Sequence, residues 1–119
     1  MPARRWRIAA VAAFPLAGLV ASACGGGGAA LAQQACTHVQ RSLDLYASAK
    51  HAPSPTLAHH ERRAALTQLR LALRPASLAG SAGGAYQALQ ATLEESSRVP
   101  ESYLVRALSA QCANITSGS

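Results

Sequence analysis

Apolar residues recur at three- and four-residue steps in four separate stretches, the spacing of one buried face on an α-helix. In the first, Cys36, Val39, Leu43 and Tyr46 form a stripe that predicts a helix from about Ala35 to His51. Ala52-Pro53-Ser54-Pro55 ends it, because each proline restricts the residue before it and has no N–H to donate. Ser54 or Thr56 can then cap a second helix, with Pro55 in its first turn in the former case. Ala65, Leu66, Leu69, Ala72 and Leu73 give that helix an apolar side, with Arg62, Arg63, Arg70 and Arg74 toward water. Pro75 predicts a break or bend, and Ala76 to Gly84 an irregular connection with some helix.

A third helix is expected from about Ala85 to Ser97, carrying Tyr86, Leu89 and Leu93. Val99-Pro100 interrupts the pattern. Pro100 suits the first turn of a fourth helix, with Glu101 placed favourably against its N-terminal dipole and Leu104, Val105, Leu108 and Cys112 as its stripe. Asn114 to Ser119 reads as a polar tail. The fold class is all-α, in keeping with a composition dominated by alanine and leucine.

The N-terminal segment has a different pattern. Arg4, Arg5 and Arg7 precede an apolar run from Ile8 to Val20, then the small residues Ala21-Ser22-Ala23, then Cys24. Residues 1–23 are therefore read as an export signal: the cationic start stays in the cytoplasm while the apolar run enters the translocon. Leu19-Val20-Ala21-Ser22-Ala23-Cys24 resembles the lipobox of bacterial lipoproteins. That resemblance implies diacylation of Cys24, which becomes the new N-terminus and anchors the protein in the cell membrane. Gly25-Gly26-Gly27-Gly28 after it fits a flexible tether over 24–34. The rival is cleavage after Ala32, at the A-x-A match Ala30-Leu31-Ala32, which would release a soluble secreted protein. A retained transmembrane helix is disfavoured because the apolar run is short and lacks a basic flank.

Export changes how the remaining cysteines are read. Cys36 and Cys112 bracket a helical domain at 35–113, and outside the cytoplasm such a pair reads as a disulfide. Closing so long a loop restricts the unfolded chain by about 4 kcal/mol in the chain-entropy model. In an up-down bundle the start of the first helix and the end of the last share an end only when the helix number is even. The pair therefore predicts a four-helix up-down bundle closed by Cys36–Cys112. The disulfide end would face the membrane, and the turns near Pro53 and Pro100 would point outward.

Charge and chemistry add less. The formal net charge of +6 falls to +3 after the signal, with eight Lys or Arg against five acids. Together with export, this argues against a nucleic-acid partner. Arg62, Arg63, Arg70 and Arg74 are read as a solvated face, with anionic lipid or an acidic partner as the alternative. Glu94-Glu95 diverge on a helix, and none of the serines has a nucleophile-elbow setting, so no enzyme is expected and no catalytic residue is assigned. His38, His51, His59 and His60 lack chelating spacing, so no metal or other cofactor is assigned. The residues that a small ligand between the helices would use are Tyr46, His51, His59 and Tyr86.

A small exported helical domain with one cysteine near each end looks like the layout of small secreted haem carriers of actinobacteria, which implies a haem or small-ligand carrier. The chain as a whole resembles uncharacterised small exported helical proteins of high-GC actinobacteria. The leading expectation is a non-enzymatic, lipid-anchored helical module with an interaction or structural role at the cell envelope. Its partners would be the membrane, through the lipidated N-terminus, and an envelope protein. Carriage of a small ligand or haem is the alternative.

Overall fold

The computed structural model describes residues 27–117. The signal assigned to residues 1–23 and the lipidation residue Cys24 lie outside them. Four α-helices follow one another: α1 over Gly27–Lys50, α2 over Pro55–Ala82, α3 over Gln87–Glu95 and α4 over Val105–Ser117. Short 3₁₀ turns at Gly84–Tyr86 and Glu101–Tyr103 introduce α3 and α4. At 1.5 Å per residue, α1 and α2 form a hairpin about 36 to 42 Å long, against which the shorter α3–α4 hairpin packs.

The α1–α2 pair carries the most extensive helix–helix contact. Its buried residues are mostly small. Ala32, Ala35, Val39, Ser42 and Ala49 are buried on α1, and Ala58, Ala65, Ala72, Ala76 and Ala79 on α2. Interaxial distance is set by the side chains at the contact, so alanine on both faces lets the two backbones approach closely. Larger residues fill the space where the second hairpin closes over the first. Val39, Leu69, Leu89, Leu93 and Leu108 are almost wholly buried in one cluster that also contains Cys36 and Cys112.

Cys36 and Cys112 form a disulfide with a Cα–Cα distance of 5.5 Å across 76 residues of sequence. The chain is thus an all-α, four-helix bundle with its first and last helices joined, which the even helix count allows. The bond sits nine residues inside α1, about 14 Å from that helix's first described residue.

Three boundaries differ from the sequence expectation. First, α1 is already formed at Gly27, the first described residue, rather than starting near Ala35, so residues 27–34 of the expected tether are helical. Ala29-Ala30-Leu31-Ala32 has high helix propensity, and Ala32 and Ala35 are fully buried. A Cβ on Gly28 would stand 3.3 Å from both the Ala82 Cβ and the Tyr86 ring, a close approach that suits glycine.

Second, α2 runs through Pro75 without interruption to Ala82. Pro75 leaves the Leu71 carbonyl without its usual donor, but the buried face continues across it through Ala72, Ala76, Ala79 and Gly80. Tertiary packing outweighs the local cost. Third, α4 extends to Ser117, so residues 114–117 of the expected polar tail are helical, with Ile115 packed against the core. The start of α2 follows expectation: Ser54 Oγ accepts from the Leu57 N–H at 3.2 Å, and Pro55 occupies the first turn.

Replacing Pro75 tests the override. An internal proline costs about 3 kcal/mol relative to alanine, while losing two buried ring methylenes gives back about 1.6 kcal/mol. Pro75→Ala is expected to raise stability by about 1 kcal/mol in urea denaturation, without loss of helical circular dichroism.

Candidate functional site

The four ligand-binding candidates do not converge. Tyr46 is half-buried on α1 under the Lys50 ammonium, which lies 5.0 Å from the ring centroid, and it borders a cleft shared with Val105 and Arg106 of α4. His51 is exposed just past the end of α1, where its backbone N–H donates to the Ser48 carbonyl. His59 is exposed on α2 in a shallow cleft with His60, Arg63 and Thr67. Tyr86 lies toward the opposite end, lining a cleft of about 370 Å³ with Leu89, Gln111 and Ile115. Tyr86 is next to Gly28, and the eighteen residues from Gly28 to Tyr46 place them about 27 Å apart along α1. One small ligand does not touch both tyrosines.

Among the described residues, no group of three or more His, Cys, Asp or Glu could hold a metal ion. Among the same residues, no helix is long and apolar enough to cross a membrane. His38, the remaining histidine, joins helices: its Nδ1 donates to Gln68 Oε1 at 2.9 Å, linking α1 to α2. Ser48 Oγ adds a second link nearer the hairpin turn by donating to Glu61 Oε1 at 3.1 Å.

The most distinctive polar group is one to which sequence reasoning gave another role. Glu101 was expected in the first turn of the fourth helix, set against its N-terminal dipole; it is buried in the 3₁₀ turn between α3 and α4. Ser42, fully buried on α1, donates its hydroxyl to Glu101 Oε2 at 2.9 Å. Glu101 Oε1 has no hydrogen-bond partner. Burial pushes the carboxyl above its ordinary 4.5, and the Ser42 hydrogen bond offsets part of that rise.

A readable signal existed, because Glu101, Leu104, Leu108 and Cys112 continue one stripe at three- and four-residue steps. Chemically the pair is a clasp holding the α3–α4 connection onto α1. Pro100, extended at φ −59° and ψ 147°, delivers Glu101 to it.

The clasp has a pH signature. With its pKa raised in the folded state, Glu101 binds a proton more tightly folded than unfolded once the pH exceeds about 4.5. Its contribution to stability is therefore greatest on the acid side and declines as pH rises through the folded value. Glu101→Gln keeps the acceptor for Ser42 and cannot ionise. Urea midpoints taken from about pH 4 to neutrality should show the variant gaining on the parent as pH increases. A constant difference between the two would contradict the assignment.

Comparison of the chain with protein-family models, with curated proteins and with solved structures finds no match, so the functional reading rests on its own residues.

Proposed function

We propose that this chain is an exported, lipid-anchored and non-enzymatic helical module, held at the membrane surface through a diacylated Cys24 and acting by interaction or scaffolding at the cell envelope. The observation that carries this reading is the packing of the first described residues of α1, Gly27 to Ala32. Processing before Cys24 retains every described residue of α1. Processing after Ala32 would remove Gly27 to Ala32, and with them the fully buried Ala32 and the contact of Gly28 with Ala82 and Tyr86. The packing therefore favours processing before Cys24 over cleavage after Ala32.

The Cys36–Cys112 disulfide is in keeping with an oxidising compartment. Two acyl chains on one cysteine provide the two signals that stable membrane attachment takes, where a single chain gives only marginal binding. The carrier alternative draws no support from the placement of Tyr46 and Tyr86 in separate clefts.

Mass spectrometry of the natively processed N-terminus tests the anchor. The expected result is diacylated Cys24, with Cys24→Ala shifting the protein out of the membrane fraction. A mature chain beginning at Gln33 would overturn it.

A further inference from the structure

The geometry points to the outer face of α2 as a docking surface for anionic phospholipid, laying the bundle flat on the bilayer. This face turns away from the alanine-lined contact with α1. Arg63, Arg70 and Arg74 are exposed on it, and beside them Leu71 and Leu78 are about half exposed. In helical projection these five positions occupy one side of about 100°, with the three arginines together and Leu71 and Leu78 along one flank of them. The only acid on α2 is Glu61, which is partly buried and accepts from Ser48.

Among the described residues none of these arginines has an ion-pair partner. Arg70 and Arg74 stand four apart, a like-charge spacing that disfavours an isolated helix. Uncompensated arginines flanking exposed leucines are the chemistry of an interfacial amphipathic helix. A bilayer supplies both halves of the match, phosphate for the guanidinium groups and an acyl boundary for Leu71 and Leu78.

Position agrees with chemistry. Ala82, the last residue of α2, lies beside Gly28 near the start of α1, so Leu78 is the part of this face nearest that end of the bundle, and Arg74 follows about 12 Å from Ala82 along the helix. The inference deepens the anchoring reading but does not require acylation, because it concerns the protein's own surface.

The test uses the processed chain from residue 24 with Cys24→Ser, which retains every described residue and carries no lipid. Flotation is compared on phosphatidylcholine vesicles and on an equal mixture of phosphatidylcholine and phosphatidylglycerol. Binding to the anionic vesicles alone, weakened by salt, is expected. Each arginine near an anionic surface contributes about fivefold to partitioning, so the Arg63→Gln, Arg70→Gln, Arg74→Gln triple variant should bind on the order of 100-fold more weakly. Leu71→Ser with Leu78→Ser should also weaken binding while leaving the circular dichroism and urea midpoint unchanged.

Equal binding to both vesicle types, or none to either, would overturn the inference. Self-association that the leucine variants dissolve, without vesicle binding, would assign the face to a second copy of the chain instead. Because the probe protein is unacylated, these outcomes are independent of whether Cys24 carries lipid.

Discussion

The Cys36–Cys112 bond joins the first helix to the last across 76 residues, and the remaining architecture is arranged around that closure. A domain of this size with alanine at most of its principal helix contact buries little apolar surface per residue, and cores of this kind are marginal alone. In the chain-entropy model, cross-linking a loop of this length destabilises the unfolded chain by about 4 kcal/mol. That is comparable to the whole net stability expected of a small core. The bond also decides topology. It holds α4 against α1, and the α3–α4 hairpin closes over Val39 and Leu69.

Within that closure the two hairpins divide the work. The long α1–α2 pair is a close-packed strut whose small buried residues carry α2 through Pro75 and leave its far side free of packing duties. The shorter pair supplies the leucines that close the core and delivers Glu101 to Ser42. A half-satisfied buried carboxyl is a costly fastening. Its cost grows with ionisation, so the α3–α4 connection is held most firmly on the acid side. The exposed arginines and leucines of α2 lie on the opposite side of the strut from its alanine seam, which lets the surface chemistry vary without disturbing the packing.

Much of this was legible in the residues. Stripe spacing located four helices, Pro53 and Pro55 marked the first turn, and the positions of Cys36 and Cys112 required an even helix count. The misreadings came where local rules met tertiary packing. Gly25 to Gly28 suggested a tether, but Gly28 packs closely on Ala82 and Tyr86 and Ala32 is fully buried, so α1 includes Gly27 and Gly28. Pro75 suggested a break, but its flanking alanines are buried on both sides.

The candidate site was less readable. Tyr46, His51, His59 and Tyr86 were chosen by residue type, and type alone does not reveal that Tyr46 and Tyr86 lie about 27 Å apart along α1. Glu101 was read from its distance to a helix start, although its place on the Leu104–Leu108–Cys112 stripe already suggested burial.

The most direct test of the account is a peptide map of the native protein under non-reducing conditions, paired with unfolding in the presence and absence of reductant. The account predicts the tryptic peptide ending at Arg41 covalently joined to the one beginning at Ala107, with a substantial loss of stability once the bond is reduced. Free thiols at both positions, or identical unfolding in both conditions, would contradict it.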